Sequence, residues 1–146
     1  MMIEERHGGD MPRAVAKLLD SAGLPTGGLG GGGAAITLVA ADGGHVVGAA
    51  VVERYADDGL LRSVVVASSQ RGDGIGQRLV TAAEAAAANA GVRSLYLLTE
   101  GAIGFFAHLG YRGVDRRAVP GLLQESEEFS VLCPIDAAVM MKQLND

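Results

Sequence analysis

An apolar run over residues 64–67 leads into a turn with glycines at 72, 74 and 76, and then into an alanine-rich segment that opens at Ile75. Glycine lets the main chain take positive φ and approach a ligand closely. The first turn of a helix starting at Ile75 presents N–H groups without intrahelical partners, together with a partial positive charge. Strand, glycine turn and helix in this order predict an anion cradle suited to phosphate. Ile75, Leu79, Ala82, Ala83, Ala86 and Ala90 recur at helical spacing up to Gly91, and their small side chains allow the helix to lie close on a sheet. With 22 glycines among 146 residues, an ordinary tight turn is the competing reading of the loop by itself.

Two other phosphate motifs fail on their surroundings. A P-loop needs a lysine beside its last glycine, and the lysines of this chain are Lys17 and Lys142. Gly28, Gly30 and Gly33 match a dinucleotide fingerprint literally, but they follow Leu24, Pro25 and Thr26 rather than a strand, so residues 27–33 read as a flexible loop.

Size and charge narrow the function classes. A chain of 146 residues that is 49% hydrophobic suits one domain spanning 1–146. The net charge of −5, with no block of basic residues, argues against nucleic acid and anionic membranes as partners. There is no apolar run of spanning length, and residues 1–10 are too polar for a signal peptide, which makes the cytoplasm the expected compartment. One cysteine, Cys133, excludes an internal disulfide, and with three scattered histidines no metal site is expected.

Further elements follow from pattern. Strands are expected at residues 3–6, 34–41, 45–55, 60–67, 92–99, 111–116 and 137–144, and helices at 11–22, 75–90, 102–109 and 121–128. Asp42-Gly43-Gly44 marks a hairpin turn, and Asp57-Asp58-Gly59 marks the next. A hairpin, a crossover helix, then strand, helix and strand make an α+β order rather than strict alternation.

The segment Arg71–Gly74–Gly76 resembles the acyl-CoA loop of the GCN5-related N-acetyltransferase (GNAT) superfamily, and Leu95 to Thr99 with Phe105-Phe106-Ala107-His108-Leu109-Gly110-Tyr111 is similar to that superfamily's later strand and helix. Leu60-Leu61-Arg62-Ser63 and Phe129 to Pro134 are similar to its arsenic-resistance branch. The resemblance implies the GNAT fold: a mixed, mostly antiparallel central sheet flanked by helices, with two parallel strands, near residues 64–67 and 95–99, that splay apart to admit acetyl-CoA. It implies an acetyl-CoA-dependent N-acetyltransferase acting on the primary amine of a small amino-acid-like acceptor, in arsenic or xenobiotic detoxification. An ordinary amino-acid N-acetyltransferase and a noncatalytic acyl-CoA-binding module stand as alternatives. A homodimer is compatible with the fold, in which sheet edges often pair between subunits.

The resemblance also implies site residues. Amides at Arg71, Gly72, Gly74, Ile75, Gly76 and Gln77 would hold the pyrophosphate, and main-chain groups of Val64 and Val66 would pair with pantetheine, the Val66 amide meeting the developing oxyanion. Phe106 stands in the cofactor-binding position where many members carry a tyrosine that protonates the leaving sulfur, and Tyr96 is the substitute proton donor. A thiol of pKa about 8.5 makes a fair leaving group even without one. Glu53, at the end of an apolar strand, reads as a general base acting through water or as a strand-end carboxylate paired with Arg54 or Arg62. Arg62, a charge inside an apolar strand, reads as a clamp for an acceptor acid or as the salt-bridge partner of Glu53. Thr99 binds cofactor or acceptor, or caps the next helix. Glu100 is a second base candidate or the N-cap of the next helix, and Tyr55 lines the acceptor pocket or caps the core.

Overall fold

The computed structural model describes residues 2–7, 34–67, 74–99, 101–119 and 137–144. The helices expected at 11–22 and 121–128, the loop at 27–33, Arg71, Gly72, Glu100 and Cys133 lie outside these residues.

Among the described residues, seven strands form one sheet: β1 (Met2–His7), β2 (Ala34–Asp42), β3 (His45–Tyr55), β4 (Asp58–Val66), β5 (Ser94–Thr99), β6 (Arg112–Gly113) and β7 (Ala138–Gln143), in the order β1-β2-β3-β4-β5-β7-β6. All neighbours are antiparallel except β4 and β5. Helix α1 (Ile75–Asn89) makes the crossover between that parallel pair, and α2 (Ile103–His108) follows β5. The last strand enters between β5 and β6 rather than at an edge.

The helix packs as its composition demands. Ile75, Leu79, Val80, Ala83, Ala86 and Ala87 are buried against Leu38, Ala50, Val52, Leu61, Leu95 and Leu97 of the sheet. Contact is so close at β3 that a Cβ added to Gly48 would lie 2.9 Å from the Leu79 side chain and 3.0 Å from the Val65 carbonyl. The opposite face carries a smaller cluster of Leu60, Tyr96, Val119, Val139 and Met141.

Two expectations shift. The β3–β4 turn is Ala56-Asp57, not 57–59: Tyr55 already pairs with Asp58, and Ala56 takes φ 58°. Gly59 serves packing instead, since a Cβ there would sit 3.1 Å from both Leu95 and Val92 side chains. The strand expected over 111–116 shrinks to Arg112–Gly113, because Asp115 accepts the Arg117 N–H at 2.9 Å and starts a 3₁₀ turn at Arg116–Ala118. The Asp42 hairpin forms as expected, with Gly43 and Gly44 at φ 59° and 84°.

Candidate active site

Parallel pairing between β4 and β5 comprises Asp58–Ser94, Gly59–Leu95 and Leu60–Tyr96, and then stops, although β4 runs on to Val66 and β5 to Thr99. A gap therefore opens toward the carboxyl ends of the two strands. The Ala67 N–H donates to the Val47 carbonyl at 2.8 Å, so by antiparallel alternation the main-chain groups of Val64 and Val66 turn away from β3, toward the gap.

The amino end of α1 stands beside this gap. Its cap is Gly74 at φ 75°, ψ 12°, with no side-chain capping bond and no acidic residue in the first turn, so no side chain of that turn neutralises the helix dipole. A Cβ on Gly74 would meet nothing within 4 Å, whereas one on Gly76 would meet the Phe105 ring at 3.4 Å and the Val66 side chain at 3.7 Å. Ile75 is buried in the core and Gln77 faces solvent. A cleft of about 600 Å³ begins at Gly74 and follows Gln77, Arg78 and Thr81, with Ile3 of β1 across it. Arg78 places a cation there that the glycine pattern did not single out.

Glu53 and Arg62 meet on the sheet face away from α1. A bulge makes this happen: Val51 pairs with Ser63 and Val52 with Leu61, leaving Arg62 as the extra residue of β4. Leu61 and Val64 can then both pack on the α1 side while Arg62 projects to the other. Its Nη1 donates to Glu53 Oε2 at 2.9 Å, with the arginine side chain 1% and the glutamate 14% exposed. The Tyr55 hydroxyl donates to Glu53 Oε1, also at 2.9 Å. Each carboxylate oxygen thus has a named donor and keeps a further lone pair. The salt-bridge reading of Arg62 with Glu53 is thus formed, with Arg62 nearly sealed. The sequence left Tyr55 without a settled role, although its i+2 spacing from Glu53 puts both on one strand face.

The remaining candidates separate. Tyr96 lies in the cluster with Leu60 and Met141, against which Tyr55 also packs. Burial raises its phenol above the ordinary value, reinforced by the nearby Asp58 carboxylate and opposed by Arg112. Thr99 Oγ1 accepts the Ala102 N–H at 3.1 Å, tying down the start of α2. Phe106 is buried in the main core, edge-on to both Phe105 and Tyr111, while Phe105 is 40% exposed and is the ring that reaches Gly76. Beyond the site, the Tyr111 hydroxyl donates to Glu84 at 2.9 Å, and Lys142 donates to Glu84 at 3.1 Å and to the Leu109 carbonyl at 2.9 Å, joining α1, α2 and β7.

Residues 33–113 match the family model of the acetyltransferase (GNAT) domain. A 70-residue stretch is 44% identical to N-alpha-acetyltransferase 80 of Mus musculus, covering 46% of this chain and 22% of the mouse protein. Among solved structures, N-acetylglutamate synthase from Neisseria gonorrhoeae, complexed with coenzyme A and N-acetyl-glutamate, superposes with a TM-score of 0.76 at 17% identity over 100% of this chain and 36% of that one. An aminoglycoside 6'-N-acetyltransferase complexed with coenzyme A gives 0.72 at 20% identity over 100% and 98% of the two chains.

Proposed function

The chain belongs to the GNAT acetyltransferase family, and from that premise we propose that it transfers an acetyl group from acetyl-CoA to the primary amine of a small, amino-acid-like acceptor. One observation carries the reading: the parallel strands part beside a helix with a glycine cap and no acid in its first turn to compete with an anion. Amides at Gly74 to Gln77 would hold the pyrophosphate, with Arg71 and Gly72 completing the loop, and Arg78 would add a positive charge to the cleft. Val64 and Val66 would pair with the pantetheine arm as an added strand.

Bound acetyl-CoA supplies an activated thioester carbonyl. Transfer forms a bond from the acceptor nitrogen to that carbonyl carbon as the carbon–sulfur bond breaks. Glu53 would take the proton lost by the amine through water, and the Val66 amide would face the charge that develops on the carbonyl oxygen. The departing sulfur is protonated by solvent. Tyr96 is a poor acid for that step, because its raised value lies further above a thiol's ordinary 8.5 than a free phenol does.

The resemblance to the arsenic-resistance branch supports an arsenic-containing or related amino-acid compound as acceptor, and a cytoplasmic role in detoxification. The test is thiol release from acetyl-CoA with amino acids, their phosphinic and arsenic analogues and simple amines, with acetyl-CoA binding followed by calorimetry. Turnover with an amino-acid-like acceptor is expected. Glu53→Gln lowers kcat by about 10²-fold with acetyl-CoA affinity unchanged; an unaltered kcat removes Glu53 from the chemistry. A noncatalytic acyl-CoA-binding module is the second reading, motivated by Phe106, which has no proton to give and is buried. Binding without turnover on any acceptor favours it.

A further inference from the structure

The geometry points to Tyr55 as a positioning residue for Glu53, a role that rests on Glu53 being the base. Glu53 lies two residues before the end of β3 and is partly open to solvent, so its carboxylate would sample several rotamers if left alone. Two bonds of 2.9 Å, one to each oxygen, remove that freedom. Arg62 fixes Oε2 from the β4 bulge, and Tyr55 fixes Oε1 from the same strand. Tyr55 in turn is held by packing against the cluster of Leu60, Tyr96 and Met141, so its hydroxyl is a placed donor rather than a mobile one. A base that must receive a proton at one point gains from being held within a few tenths of an ångström. A phenol does this without adding charge, which leaves the charge at the carboxylate to its bonded partner Arg62.

A kinetic double-mutant cycle tests the assignment, reading thiol release from acetyl-CoA with whichever amino acids, phosphinic or arsenic analogues, or simple amines turn over. Tyr55→Phe keeps the packed ring and removes the donor. It is expected to lower kcat by about three- to tenfold, the scale of one lost hydrogen bond, with KM for acetyl-CoA within about twofold. In the Glu53→Gln background the same change is expected to cost nothing further, because there is no longer a base to place. Thermal unfolding of each variant checks that all are folded. An equal loss in both backgrounds, or no loss in the wild-type background, overturns the role of Tyr55 while leaving Glu53 in place. An unchanged rate in Glu53→Gln, or no turnover with any acceptor, overturns the base assignment and this role with it.

Discussion

Arg62 is nearly sealed, and its bond to Glu53 decides what a substitution costs. Removing one partner of a buried ion pair strands the other, so Arg62→Met is expected to destabilise the fold by about 3 kcal/mol, read from the urea midpoint. Glu53→Gln is expected to cost less, since an amide oxygen still accepts from Arg62. The pairing was one of two readings open in the sequence, because both residues sit in one hairpin at strand positions where neither belongs in an apolar core. What composition could not tell is how Arg62 escapes the core, since alternation with Leu61 and Val64 is broken by a bulge that leaves no mark in residue type. The adjacent rings carried a similar ambiguity. Phe105 and Phe106 look alike in the sequence, and only the pitch of α2 sends Phe106 inward and Phe105 toward Gly76.

Elements were more legible than contacts. Apolar strands, the glycine hairpin and the alanine stripe each follow from local periodicity, which is why β2, β3, α1 and β5 lie close to their expected bounds. Glycines were legible as glycines but not by purpose, since those at turns and those at close approaches share one letter. Gly48 is of the second kind: Gly48→Ala drives a methyl to 2.9 Å from Leu79 and is expected to cost about 1–3 kcal/mol in thermal unfolding. Gly104, inside α2 with nothing within 4 Å of an added Cβ, is the converse, and Gly104→Ala is expected to stabilise by about 0.5 kcal/mol. β6 fell short of its expected length because the Asp115 side chain competes with the ladder for the backbone, a local bond that strand propensity does not weigh.

At the scale of the molecule, Tyr111, Glu84 and Lys142 tie α1, α2 and β7 together across 27 and 58 residues of sequence, separations that no local pattern encodes. Burial, with the charge of and hydrogen bond to Glu84, raises the Tyr111 phenol far above its ordinary value. A raised group contributes its full stability below the unfolded value, near 10, and loses it as pH climbs toward the folded one. Tyr111→Phe is therefore expected to be less stable than wild type by about 1.5–3 kcal/mol at pH 7, with the deficit narrowing above about pH 10, as urea titrations at both values would show. The seam between β4 and β5 has a different consequence. Among the described residues, three residue pairs stitch the amino-terminal four strands to the carboxyl-terminal three, and this short join coincides with the place where the acyl donor is proposed to lie. A donor that bonds to the β4 edge would add rungs beyond those three, so occupancy would double as reinforcement of a seam otherwise bridged by the shared core beneath α1.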